Sequence, residues 1–299
     1  MTQVDIIVPV RNEAANIHKF VAAVESLALP ADVDVAMCFI EDGSTDDTLG
    51  VLRTLSSENP HVHYVSMANG FGEGPAVMFG LRQSRADAMI MMAVESHPPE
   101  LIPSMIGAFL DGAQVVQCVR DSFVGRERYR DIATALFVPA VQLLTGFDYA
   151  QQNVYYRLVS RDFAQEVLAS PRYWRFLRFP LPDETSGALK IIHADMAERE
   201  SGQSQYTVTR LLGLALDGIL ICIATPRMVA LSLALTIGAL GLLWLGFPAL
   251  GVVVVAGTAA LWYRYYWLRT ADHIAQLVVA ERDETRNAGS AQCTAQATH

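Results

Sequence analysis

From Met228 to Leu245 the chain runs 18 residues without a charge, and Ala249–Tyr263 adds 15 more. A bilayer core takes about 20 apolar residues per helix. With their flanking aromatics, the two runs are expected to span as a helical hairpin. Gly246-Phe247-Pro248 breaks them apart, as a turn signal should. Trp262, Tyr263, Tyr265, Tyr266 and Trp267 cluster at one end, suited to the water–lipid interface. Arg210, Arg227, Arg264 and Arg269 flank the outer ends, and the connecting loop has no charge. The positive-inside rule then puts both chain ends in the cytoplasm, at the cytoplasmic membrane. The competing reading is a pair of buried core helices. Arg210–Thr225 is also apolar but carries Asp217 mid-run. A charge at mid-membrane is costly, so this segment is expected to lie along the interface as an amphipathic helix.

The remainder divides around that hairpin. Residues 1–209 are expected to form an α/β domain, 210–226 the interfacial helix and 227–268 the hairpin. Residues 269–299 are expected to form a cytoplasmic tail, reading from Glu281 as a solvated helix end followed by disorder. The net charge of −9 argues against a nucleic-acid footprint, which needs a basic surface. Cys38, Cys118, Cys222 and Cys293 lie far apart with no CxxC pair. That argues against a disulfide framework or a zinc site and fits a reducing compartment.

The first half alternates apolar strand-like runs with helical patterns. Strands are expected at Val4–Val10, Val33–Ile40, Val62–Val65, Ala88–Val94 and Val115–Val119. Between them, helices are expected from an Asn12 cap to Leu27, and from a Thr45 or Asp46 cap to Ser56. Two more are expected at Pro75–Arg85 and Pro99–Gly112. This rhythm implies a mostly parallel sheet with helices on both faces. Arg120–Gln205 is less regular: a helix over Arg126–Leu144, strands at Val154–Leu158 and Ile191–Glu198, and a short helix at Asp162–Leu168.

Ligands of such sheets sit at the carboxyl ends of the strands. There the sequence places Pro9-Val10-Arg11-Asn12-Glu13 and Glu41-Asp42-Gly43-Ser44-Thr45-Asp46. A nucleoside needs acceptors for its base N–H and ribose hydroxyls, which Glu13 and Asp42 supply. Helix capping explains Ser44, Thr45 and Asp46, but not an acid after both strands. Gly70-Phe71-Gly72-Glu73-Gly74 lacks the dinucleotide-fingerprint spacing and reads as a turn near the ligand edge. After the fifth strand, Arg120, Arg126, Arg128 and Arg130 gather. Arg130 and Thr134 stand one helical turn apart and share a face.

These motifs resemble those of inverting GT-A glycosyltransferases, in particular the polyprenyl-phosphate group. That group includes dolichol-phosphate mannose synthase and the bacterial polyprenyl-phosphate glucosyltransferases. The resemblance rests on Val8-Pro9-Val10-Arg11-Asn12-Glu13, Glu41–Asp46, His97-Pro98-Pro99-Glu100, Arg157-Leu158 with Ser160-Arg161, and Arg199–Tyr206. It covers residues 4 to 268 and ends in the same two-helix anchor. It implies a GT-A-like mostly parallel sheet, followed by an interfacial helix and two transmembrane helices. It also implies inverting transfer of a sugar from a nucleotide sugar, by default a UDP-sugar, to a membrane polyprenyl phosphate. Pro9, Arg11, Glu13 and Asp42 would bind the nucleotide. Arg130, Thr134 and Arg199 would hold the acceptor phosphate, with Arg120, Arg126 and Arg128 as weaker candidates. A solvated helix start, or attraction to anionic lipid, equally explains Arg126 and Arg128. A homotetramer through the anchor is a further implication.

At strand four the sequence departs from the family. The family carries Asp-x-Asp there, holding Mg2+ or Mn2+ against the donor diphosphate. Here those positions read Met92-Ala93-Val94, and neither Met92 nor Val94 suits a hard cation. Glu95 is the nearest carboxylate. In a regular strand it would face away, but a turn could bring it back. Ser96 and His97 are weaker ligands, and a lone His such as His97 is more often structural. Two outcomes follow: an active transferase with a rebuilt or absent metal site, or a pseudo-glycosyltransferase that binds nucleotide or polyprenyl phosphate and scaffolds a partner.

Overall fold

The computed structural model describes residues 1–120, 156–169, 189–194, 216, 220, 225–270 and 279–282. Eight strands are described: β1 Thr2–Val10, β2 Val33–Glu41, β3 Val62–Met67, β4 Ala88–Met91, β5 Val115–Arg120, β6 Arg157–Ser160, β7 Leu189–Ala194 and β8 Val279–Arg282. They form one sheet in the order β7-β5-β6-β4-β1-β2-β3-β8. The β4-β1-β2-β3 run and the β5–β7 pair are parallel. β6 and β8 pair antiparallel.

Side-chain alternation along β1 sorts the core into two layers. Val4, Ile6, Val8 and Val10 point to one face and Ile7 to the other. Helices α1 (Ala14–Glu25), α2 (Thr48–Glu58) and α4 (Ile102–Leu110) cover the first face. They bury Ile17, Phe20, Val21, Leu52 and Met105 against it. Helices α3 (Glu73–Gln83) and α5 (Arg161–Ala169) cover the second through Val77, Met78, Phe79 and Phe163. Each fully buried aliphatic contributes about 1.5–3 kcal/mol. The expected two-faced, mostly parallel α/β architecture is therefore present.

Several boundaries shift for physical reasons. β4 ends at Met91 rather than Val94. Residues 92–94 stay apolar because they continue to pack on the core, but a turn over 94–96 ends the ladder. The expected helix Pro99–Gly112 splits into a 3-10 turn, Pro99–Leu101, and α4. Pro103 falls in the first turn of α4, where a missing N–H costs nothing. The tail is not wholly a solvated end: Val279–Arg282 is β8, antiparallel to Val65–Met67 with a bulge at Ser66/Met67. It covers the β3 edge, which would otherwise expose unpaired backbone groups. The expected helix Arg126–Leu144 lies outside the described residues, as does most of the interfacial segment.

Between β7 and β8 in sequence, α6 (Thr225–Trp244) and α7 (Pro248–Thr270) pack as a hairpin. Gly246 turns the chain at φ 82°, and Pro248 opens α7, where its fixed φ suits a helix start. Trp262 Nε1 donates to Ser232 Oγ at 2.7 Å, and Thr225 Oγ1 lies 2.9 Å from Tyr265 Oη. Leu233, Ile237, Leu240, Val252, Val253 and Val255 face outward and exposed. Among the described helices, α6 is the one long and apolar enough to cross a membrane, with mean hydropathy 1.7. The second expected span, Ala249–Tyr263, lies within α7, which does not reach that apolarity.

Candidate active site

The carboxyl ends of β1, β2 and β3 lie level, with Val10 opposite Glu41 and Glu41 opposite Ser66. β4 ends beside Ile7 of β1. The loops leaving these strands share their hydrogen bonds. Asn12 does not cap α1; Glu13 stands at the N-cap, without a side-chain cap bond. Asn12 instead adopts φ 58°, a left-handed conformation Asn tolerates better than most residues. Its Oδ1 accepts from the Thr45 N–H at 2.7 Å, and its own N–H donates to Ser44 Oγ at 3.0 Å. The Glu13 N–H donates to Thr48 Oγ1 at 2.9 Å, and the Ala14 N–H to Asp46 Oδ2 at 3.2 Å. So the α1 N-terminus is satisfied by the loop before α2.

Asp46 serves both helices, because its Oδ1 accepts from Thr48 Oγ1 at 2.5 Å and the Thr48 N–H at 3.1 Å. α2 itself begins at Thr48 behind Asp47, later than a Thr45 or Asp46 cap implies. Slight burial pushes the Asp46 carboxyl up. The Thr48 hydroxyl and the Thr48 and Ala14 N–H groups outweigh that and hold it below its ordinary value.

At the end of β2, Glu41 and Asp42 are both buried. Glu41 accepts from the Ser44 N–H, closing the turn, and from Ser66 Oγ at 2.6 Å. Asp42 accepts from the Phe71 N–H at 2.7 Å and the Gly72 N–H at 2.8 Å. The glycine-rich segment is thus a loop folded over Asp42. Gly43 permits this, with φ 69° and a would-be Cβ only 2.8 Å from Gly70 N. Arg11 lies on the same loop, its Nη1 2.7 Å from where a Gly70 Cβ would sit. Burial raises the Asp42 carboxyl above its ordinary value, against the pull of both N–H groups and Arg11. A carboxylate offers about four acceptor sites, so two loop bonds leave Asp42 capacity for a base or ribose donor.

At the end of β4 the two Asp-equivalent positions are turned inward. Met92 is 0% exposed in the first core layer, and Val94 packs against the same layer. The turn after them carries Glu95 out of strand alternation to α1. There Asn16 Nδ2 donates to Glu95 Oε1 at 2.9 Å and to Glu13 Oε2 at 2.8 Å. His97 supports the turn. Its Nδ1 accepts from the Ala93 N–H at 2.9 Å, and its ring stacks on Tyr156 at 4.8 Å.

The structure therefore gathers Pro9, Arg11, Glu13, Asp42 and Glu95 at one edge. Arg120 ends β5 at that edge, in register with Ala194. Arg126, Arg128, Arg130, Thr134 and Arg199 lie outside the described residues. Sequence reasoning missed Asn16 and gave Glu41 no role within its motif. Asn16 follows Glu13 by three residues on α1, a spacing that puts both on one helix face. Arg157 of the quoted motif is buried, which lowers it to about 10. Its Nε donates to Gln117 Oε1.

Residues 5–175 match the family described as Glycosyl transferase family 2. The chain belongs to that family. Among curated relatives of this family-2 chain is the prophage bactoprenol glucosyl transferase homolog of Escherichia coli. The two are 28% identical over 218 residues, covering 73% of this chain and 71% of the relative. Another is the undecaprenyl-phosphate 4-deoxy-4-formamido-L-arabinose transferase of Pseudomonas syringae. It is 27% identical over 262 residues, covering 87% and 76%. Among solved structures, Mycobacterium tuberculosis glucosyl-3-phosphoglycerate synthase superposes with TM-score 0.53 at 17% identity, covering 74% and 79%. The same enzyme with Mn2+ and UDP-glucose gives 0.52. That likeness shows the GT-A-like fold.

A divalent ion at the family position does not fit the residues present. Met92 is sealed in the core, Val94 packs there, and Glu95 is engaged with Asn16. Among the described residues no three His, Cys, Asp or Glu side chains gather as a ligand set.

Proposed function

We propose that this glycosyltransferase moves a sugar from a nucleotide sugar, by default a UDP-sugar, to a membrane polyprenyl phosphate with inversion. The observation that carries the donor half is the convergence of Arg11, Glu13 and Asp42 on one loop-covered edge. Asp42 is the acceptor for the base or ribose, and Arg11 the cation beside it. The named activities of the bactoprenol and undecaprenyl-phosphate relatives support the acceptor. A phosphate whose second pKa is about 6 is largely ionised at neutral pH. It attacks without a general base and needs positioning and charge compensation, the work of arginine. Arg130, Thr134 and Arg199 take that role in this reading, with Arg120, Arg126 and Arg128 as weaker candidates.

A lipid acceptor requires the site to sit at a bilayer. The exposed apolar faces of α6 and α7 support an anchor there. In this reading the GT-A-like domain is residues 1–209, the interfacial helix 210–226, the hairpin 227–268 and the cytoplasmic tail 269–299. Both termini are cytoplasmic, and the hairpins assemble as a homotetramer.

The test is transfer of radiolabelled sugar to undecaprenyl phosphate, with and without chelator. Product that forms from one nucleotide sugar and not others supports the proposal. No product from any common donor, in either condition, overturns catalysis. The inward-turned Met92 and Val94 favour one second reading, a pseudo-glycosyltransferase that binds nucleotide or polyprenyl phosphate and scaffolds a partner. UDP binding without turnover would establish it.

A further inference from the structure

The edge of the sheet holds a device that neither the family match nor the proposed reaction explains. Glu13 comes from the end of β1 and Glu95 from the turn after β4. One nitrogen, Asn16 Nδ2, donates to both carboxylates, at 2.8 and 2.9 Å. An amide NH2 has two hydrogens, and these two bonds use both. The opposite amide orientation would aim the Asn16 carbonyl oxygen at two acids, so the bonding pattern itself fixes the orientation. The nitrogen occupies the point between the carboxylates. Hard cations sit about 2.0–2.6 Å from their oxygen ligands. A cation at that point would have to displace the amide and break both bonds. It would gain two carboxylates, with Met92 and Val94 in place of further acids.

The turn is also set in advance of any ligand. The Ala93 N–H bonds to His97 Nδ1, and His97 stacks flat on Tyr156, whose hydroxyl donates to the Pro98 carbonyl at 2.8 Å. Glu95 is therefore presented to α1 by the protein's own packing.

We propose that Asn16 is a positioning residue. Its amide bridges the donor-edge acids where a divalent cation would otherwise do so, and nucleotide binding is independent of Mg2+ and Mn2+. The inference rests on the donor reading above. Within it, the diphosphate charge falls to the chain's own cations, of which Arg11 stands at this edge.

Calorimetry of UDP binding to the full-length protein in detergent tests it, in EDTA and in Mn2+. The wild-type affinity is expected to agree within about twofold between the two conditions. Asn16→Ala is expected to bind about tenfold more weakly in EDTA and to recover in Mn2+, because the ion then bridges Glu13 and Glu95 in place of the amide. A merely structural role would not produce recovery by a cation. Glu95→Gln keeps an acceptor oxygen for Asn16, and its UDP affinity is expected to agree within about twofold between EDTA and Mn2+. It serves as the second variant should Asn16→Ala fail to fold. Wild-type affinity that rises about tenfold or more with Mn2+ overturns the proposal, as does such a rise in Glu95→Gln. So does Asn16→Ala binding unchanged in EDTA. Absence of UDP binding in every condition instead overturns the donor reading, and this inference with it.

Discussion

The ends of β2 and β4 each present one carboxylate to the ligand edge, and they hold it differently. Asp42 is gripped by two backbone N–H groups of the glycine-rich loop. Glu95 is gripped by a side chain, Asn16, that also grips Glu13. Backbone donors persist whatever side chains the loop carries, so the β2 end keeps its geometry as long as the glycines remain. The β4 end depends on side chains that substitution can exchange. At that second end stand Met92 and Val94, where the resemblance implies an Asp pair.

Substitutions that push each end toward the other's condition measure the difference. The largest effect is expected from Met92→Asp, which restores one family acid inside the core. A carboxylate unpaired at a position 0% exposed costs about 3–5 kcal/mol. Thermal unfolding should show a collapse of stability, and near-wild-type stability would mean that residue 92 can turn outward. Gly43→Val comes next. It combines a β-branched residue at φ 69° with a Cβ 2.8 Å from the Gly70 backbone, a loss of about 3 kcal/mol. The same thermal-unfolding experiment reads it, and donor binding should fail with it. Asp42→Ala follows at about 2 kcal/mol, because two loop N–H groups lose their acceptor. UDP affinity measured by calorimetry should fall at least about tenfold.

The smallest effect concerns Asp46. Its folded carboxyl lies below its ordinary value. The stabilisation is therefore present above that value and is lost as pH falls through the lower folded value. Wild type and Asp46→Asn should differ in melting temperature at neutral pH and converge under strongly acid conditions. A difference that persists there would place the effect outside the carboxylate.

Much of this edge was legible because strand runs and acids are local signals. Alternation placed β1 to β5, and the rule that ligands sit beyond strand ends placed Pro9, Arg11, Glu13 and Asp42 together. What failed depended on partners distant in sequence. Asn12 reads as a cap by composition, yet it is claimed by Ser44 and Thr45 of another loop. The apolar run through Val94 reads as strand, because packing and ladder pairing favour the same residues. β8 has four residues, Val279–Arg282, and no period to reveal it. Only the open edge of β3 gives it a reason to be a strand. Glu41 stands within its motif without a role legible in the sequence, and Ser44 and Ser66 satisfy it inside.

That last strand also constrains the path of the chain. β7 and β8 belong to one sheet, and α6 and α7 lie between them in sequence. A chain that leaves a sheet and later rejoins it must cross any intervening surface an even number of times. The apolar hairpin is thus a closed excursion, tethered to the sheet at both of its ends. A single cut within it would leave each half still fastened to the sheet by its own strand.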